Sequence, residues 1–314
     1  PMILCQTFTG TGGDANTTPL FWLCNLLKGQ ELLKEHWPFF QDIMNQHPDL
    51  LPKALFQECT GESSSKGSFP FFWLCGSAIG INIITEHWTF FEPLIEKYQK
   101  MLFKPLNHNL EGRNKNITSF FKLTYIKEGI DLLRAKWKFF EPMISLADLT
   151  LEVSSQASIS TTVSGQPVGP SDFPRLCTTN SFEFLCLRSN GIELMRENWE
   201  FFETIIENIP HILSRPSQLD QEFKRTPFWY ICKDSIGLKL LSEHKHFFRR
   251  LIKKNQTSYN ILSNKGENVN SNTFLVLIRT EEGKKLASFF LSNNNISTDS
   301  EENKEVDQKY DAPD

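Results

Sequence analysis

Apolar side chains along the chain return at helical intervals around a recurrent glycine. Gly29, Gly80, Gly129, Gly191, Gly237 and Gly283 are separated by 51, 49, 62, 46 and 46 residues and share one local pattern. Nine residues before the glycine stands Leu20, Phe71, Phe120, Phe182, Phe228 or Phe274, and six before it Leu23, Leu74, Leu123, Leu185, Ile231 or Leu277. A separation of three keeps both positions on one face of a helix. After the glycine, apolar pairs follow at three and four residues: Leu32-Leu33, Ile83-Ile84, Leu132-Leu133, Leu194-Met195, Leu240-Leu241 and Leu286-Ala287. Eight residues after it come Trp37, Trp88, Trp137 and Trp199, with Lys245 in the fifth copy. A Phe pair follows at ten and eleven (Phe39-Phe40 to Phe247-Phe248), and a further apolar pair at fourteen and fifteen.

Offsets of 3, 4, 8, 11 and 15 form a helical stripe that a strand, with its period of two, would not bury. Each copy therefore predicts a helix, a turn at the glycine with the backbone freedom glycine allows, and a second, longer helix. Thr18-Pro19 and Thr226-Pro227 read as N-caps followed by proline at the first helical position, and Thr118 and Asn180 can cap the equivalent helices. Pro93 and Pro142 fall inside the second helix, which is expected to kink or restart there. One hairpin cannot bury so wide an aromatic stripe, whereas stacked neighbours can. The fold class expected is all-α: a solenoid of about six helix-turn-helix repeats, with the degraded sixth copy as a cap.

The divisions follow from composition. Residues 1–17 form an N-terminal extension and 18–149 hold repeats one to three. Residues 150–179 make a Ser/Thr-rich loop, 180–293 hold repeats four to six, and 294–314 form an acidic tail expected to be disordered. Apolar positions within 48–67 and 210–225 could add a short extra helix to a repeat. With 27 Phe and 7 Trp the chain carries far more aromatic surface than a disordered one. The formal charge of −4 is concentrated in the tail, where residues 299–314 hold seven acidic side chains. No overall basicity points to nucleic acid.

Seven Cys without a close CxxC pair predict free thiols in a reducing compartment. The first residues, Pro1-Met-Ile-Leu-Cys5, carry neither a basic segment nor a long apolar run, so a signal peptide is not expected. No apolar stretch is long enough to cross a bilayer. A soluble, cytoplasmic protein is the expectation.

Reactive residue types recur at fixed spacings. Cys24 and His36, Cys75 and His87, and Cys232 and His244 share one separation, which could bring a thiol to an imidazole for nucleophilic catalysis. The cysteines occupy the apolar stripe, and Thr124 and Ile278 replace them in other copies, so packing explains them better. Metal binding would need several such pairs to converge across a helix diameter. No phosphate-binding loop, nucleophile elbow or HExxH motif occurs. The segment from His244 to Lys254 is basic with interleaved aromatics, as an RNA or anionic lipid site would be. Its Phe residues hold stripe positions, however, so its charges read as a solvated helix face. The reading is thus a scaffold without cofactor, metal or catalytic residues that binds a protein partner. His36, His87, Lys136, Asn198 and His244 on the rim are the candidate contacts, with Arg249 and Arg250 for charge.

Two openings, Thr18-Pro-Leu-Phe-Trp-Leu-Cys24 and Thr226-Pro-Phe-Trp-Tyr-Ile-Cys232, resemble the Thr-Pro-Leu-His opening of ankyrin repeats. The stretch Ile261-Leu-Ser-Asn-Lys-Gly-Glu-Asn-Val-Asn270 followed by Asn272-Thr-Phe-Leu275 resembles an ankyrin helix end, loop and next opening. The usual His is absent, and a period of 46 or more exceeds the ankyrin period of about 33. The copies are therefore similar to divergent ankyrin-like or tetratricopeptide-like hairpins. Over roughly residues 18–293, the Phe-Trp-Leu-Cys…Gly…Trp-x-Phe-Phe pattern resembles repeats in effector proteins that intracellular bacteria such as Legionella inject. That resemblance implies a bacterial virulence effector, or a metaeffector that binds and modulates another effector enzyme. Its partner would be that effector or a host protein, met in the bacterial cytoplasm or the host cytosol.

Overall fold

A computed structural model describes residues 2–9, 15–47, 50–61, 66–104, 117–144, 182–214, 225–254 and 273–292. The loop 150–179, the acidic tail, Asn180 and the stretch 261–270 lie outside the described residues. Among the described residues all regular structure is helical, so the chain is all-α.

Helices come in sets of three, where two per copy were expected. The first set is α1 (Pro19–Asn25), α2 (Leu27–Glu35) and α3 (Trp37–Gln46), followed by a short α4 (Leu50–Leu55). The second is α5 (Pro70–Leu74), α6 (Ala78–Glu86) and α7 (Trp88–Lys97), followed by α8 (Gln99–Leu102). The third is α9 (Ser119–Tyr125), α10 (Lys127–Ala135) and α11 (137–144). The fourth is α12 (182–186), α13 (Ser189–Glu197) and α14 (Trp199–Asn208), with a 3-10 turn at Pro210–Leu213. The fifth is α15 (Pro227–Lys233), α16 (Ser235–Glu243) and α17 (Lys245–Lys254). The last set has two, α18 (Thr273–Leu277) and α19 (Glu281–Leu291).

Two corrections follow for the turn. The glycine is not at it: each lies at the third position of the middle helix and is buried. What it permits is approach. A Cβ at Gly29, Gly80, Gly129, Gly191, Gly237 or Gly283 would stand 1.7–2.4 Å from the carbonyl oxygen six residues earlier, inside the preceding helix. The long second helix is in fact two, and neither Pro93 nor Pro142 divides it. Both prolines lie within helices that run on past them. The break falls earlier, at His36, His87, Lys136, Asn198 and His244, where φ is −110° to −121° and ψ swings to 26°–41°. Each of these residues still donates its N–H to the carbonyl four residues back, closing one helix before the next begins.

The caps predicted at the first helices are present. The Oγ1 atoms of Thr18, Thr118 and Thr226 accept the N–H of Phe21, Phe121 and Trp229 at 3.1, 2.9 and 3.2 Å. Ser77, Asp234 and Thr280 do the same for middle helices, donated to by Gly80, Gly237 and Gly283.

Equivalent helices of successive sets pack on one another. Helix α1 lies against α5 and α5 against α9, while α2, α6, α10, α13, α16 and α19 form an unbroken succession. The stripe residues fill the space between. Phe71, Phe91, Phe120, Phe140, Phe182, Phe202, Phe228 and Phe248 are all but completely buried and belong to one apolar cluster.

Candidate protein-binding surface

The third helices meet through aromatic rings. Each tryptophan at the start of a third helix is buried, 4–8% exposed, and enters a cup made by the following set. Trp37 stacks on His87 (4.5 Å, 8°), meets Phe90 edge-on and lies tilted against Phe91. Trp88 lies under the Lys136 ammonium at 5.3 Å and against Phe139 and Phe140. Trp137 packs on Phe201 and Phe202. Trp199 stacks on His244 (4.2 Å, 15°) and meets Phe247 and Phe248. Offset stacking and edge contacts of this kind add to simple area burial. At the last junction Lys245 takes the tryptophan's place, with its ammonium 5.3 Å from the Phe289 ring.

The candidate contact residues thus occupy the breaks between middle and third helices. His87, Lys136, Asn198 and His244 are half-buried there. His87, Lys136 and His244 lie against the indole of the preceding set, and the Asn198 amide donates to the Leu194 carbonyl at 2.9 Å. Burial lowers the pKa of both His87 and His244. The side chain of His36, in the first set, is 55% exposed. Arg249 is buried: its guanidinium donates to the carbonyl oxygen (2.7 Å) and Oγ (2.9 Å) of Ser292 and covers Phe289. Arg250 remains exposed, within 4.0 Å of Glu203 and Glu207.

A second ladder, of charge, escaped the sequence reading. Lys34 pairs with Glu86 at 2.7 Å, Arg134 with Glu197 at 2.6 Å, and Arg196 with Glu243 at 3.1 Å. Each pair joins a base five residues after one glycine to an acid six residues after the next. The regularity is visible once the copies are aligned on glycine. The first set's own acid in that register is Glu35, which is exposed and 3.9 Å from His36.

Four of the thiols are chemically quiet. Cys24, Cys75, Cys186 and Cys232 are buried, and burial pushes each well above the ordinary thiol range. A thiol held protonated is a poor nucleophile. Of the imidazoles that shared their spacing, His87 and His244 stack on Trp37 and Trp199, and His36 is exposed beside Glu35. Among the described residues no group of three His, Cys, Asp or Glu side chains could hold a metal, and no helix is long and apolar enough to cross a membrane.

Among the described residues, the first set carries several exposed large apolar side chains. Leu26, Leu27, Leu32 and Phe39 are exposed there. A groove of roughly 730 Å³ between Phe8, Trp22, Leu23, Leu26 and Leu32 continues the same apolar surface. In comparison with known proteins, the chain matches no family model, no curated protein and no solved structure.

Proposed function

We propose that the chain is a solenoid of six helical units whose task is to bind another protein. The observation that carries this reading is the apolar surface of the first set. Leu32 is 47% and Phe39 61% exposed, at positions the other units bury or half-bury. Exposed, contiguous large side chains on a stacked scaffold mark an interaction surface rather than a core. Of the polar break residues, His36 lies in the same set and is exposed. The burial of Cys24, Cys75, Cys186 and Cys232, and the stacking of His87 and His244 on indoles, favour binding over catalysis. The resemblance of the pattern to bacterial effector repeats suggests the setting: an effector, or a metaeffector modulating another effector enzyme.

The test is a pull-down with the full chain from bacterial and host-cell lysates, read by mass spectrometry. A protein recovered in stoichiometric amount is the expected result. Recovery of none from either lysate would overturn the reading.

A further inference from the structure

We propose that the edge where the first helices end, across the third, fourth and fifth sets, is a docking strip for an extended acidic segment of another protein; this rests on the protein-binding reading and names the chemistry of the partner. One cation stands there in each set: Lys122 in α9, Arg188 in the turn after α12, and Lys233 at the end of α15. They lie seven, three and four residues before their glycines, positions that share one side within a helical turn. The edge is continuous from set to set. Phe121 of α9 meets Phe184 of α12 at 4.2 Å, and the Ser189 hydroxyl donates to the Asp234 carboxylate of the next set.

What sets these three cations apart is what they rest on. On the middle helices Lys34, Arg134 and Arg196 are neutralised by glutamates of the following set. On the first-helix edge the supports are aromatic rings. The Lys122 ammonium lies 4.4 Å from the Phe72 ring centroid and 4.6 Å from that of Trp73, in space that a side chain at Gly76 would take. Arg188 covers Tyr125 at 4.4 Å, and the Lys233 ammonium lies 5.3 Å from Trp229. A ring holds a cation in place and leaves its charge intact. Among the described residues no ion pair involves Lys122, Arg188 or Lys233. Asp234, the neighbour of Lys233 in sequence, is committed to Ser189 and to the N–H groups of Ile236 and Gly237. Burial lowers the pKa of Lys122, so a docking carboxylate would offset a cost that the fold bears there.

Charge and spacing specify the occupant. A nucleobase would need an open ring to stack on. Trp229 is only 4% exposed, and Trp73 and Tyr125 are each capped by a cation, so the strip presents N–H donors rather than ring faces. Carboxylates are the groups that such donors take, and side chains already held on rings have little freedom left to lose on binding. Packed helices repeat at about 8–10 Å, and an extended chain advances about 3.3 Å per residue. Carboxylates three residues apart therefore meet successive cations.

The test is a titration of a labelled synthetic peptide, four Glu-Ser-Gly triplets in tandem, with the full chain at low salt, followed by fluorescence anisotropy. Saturable binding is expected, and it should disappear when glutamine replaces the peptide's glutamates. Arg188→Glu together with Lys233→Glu should weaken it about tenfold or more, as reversal of interfacial charge does. The same change of charge at Lys100 and Lys285, exposed elsewhere, should weaken it by less than about twofold. All four altered residues are exposed, so folding is preserved, which circular dichroism checks. Absence of saturable binding, or an equal loss from both pairs, overturns the proposal. Tighter binding of a labelled oligothymidylate than of the peptide also overturns it, in favour of a nucleic-acid surface. So does peptide binding that emerges only once Glu301, Glu302, Glu305 and Asp307 are replaced by their amides, since the chain's own acidic segment would then be the occupant. If the Arg188→Glu, Lys233→Glu chain retains every partner of the native chain in the pull-down, the strip falls while the protein-binding reading stands.

Discussion

Gly80→Ala tests the account of the recurrent glycine, because the two physical effects it sets in opposition have different signs. Gly80 lies inside α6, where alanine is the better helix former by about 1 kcal/mol. Against this, a Cβ at that position would stand 2.3 Å from the Leu74 carbonyl oxygen, 2.6 Å from its Cα and 2.8 Å from its carbonyl carbon. Contacts under 3.0 Å do not persist, so α5 and α6 must part by about 0.7 Å. No side chain can rotate aside, since the obstacle is backbone. Overpacking costs typically about 1–3 kcal/mol, and an unyielding neighbour places this case near the top of that range. The net expectation is a loss of about 2 kcal/mol, or a Tm lowered by roughly 4–8 °C for a chain of this size. The measurement is urea and thermal unfolding followed by far-ultraviolet circular dichroism. Gly76→Ala is the control: its Cβ would meet the Nζ and Cδ of Lys122, the far end of a side chain able to swing away, so its effect should be well under that of Gly80→Ala. A Gly80→Ala protein as stable as the native one, or more stable, would refute the close-approach argument.

Trp137→Ala, which empties the cup formed by Phe201 and Phe202, is expected to cost about 3–5 kcal/mol by equilibrium denaturation; a loss under 1 kcal/mol would show that the indoles do not hold neighbouring units together. Stability should also depend on pH through His87, which faces Trp37, Glu86 and Lys34, and His244, which faces Trp199, Glu243, Glu203 and Arg196. Burial favours their neutral forms in the native state, so as pH falls below the ordinary imidazole value of about 6.5 the unfolded chain takes up protons first. That contribution is full above this value and is lost as pH drops through the lowered native values; the urea midpoint should decline accordingly, and His87→Phe with His244→Phe should flatten the decline. Cys24, Cys75, Cys186 and Cys232 should resist alkylation until the chain unfolds, as mass spectrometry of iodoacetamide-treated protein would report; rapid labelling of any of them in the native protein would reopen the case for a reactive thiol.

Sequence alone determined the class of structure and much of its interior. Apolar positions at offsets 3, 4, 8, 11 and 15 are a statement about the pitch of a helix, and the Phe and Trp residues placed there are buried, Phe40 alone half-buried among those described. Thr18 and Thr226 before proline announced helix starts because a hydroxyl and a missing N–H act within one turn. Tertiary structure decided what local periodicity cannot express. The stripe runs in nearly unbroken register across His36, His87, Lys136, Asn198 and His244, so one long helix and two shorter ones read alike; the change in ψ at those residues breaks them apart. The glycine likewise reads as a turn until its neighbour is known to be backbone at contact distance. The same holds for the surface. Composition identified Arg249 as a free charge, but its fate depends on Phe289 and Ser292, forty or more residues away. Leu32 and Phe39 match their counterparts in sequence, yet they are exposed where those are buried or half-buried; exposure of that kind is a property of position in the assembly, which no single segment encodes.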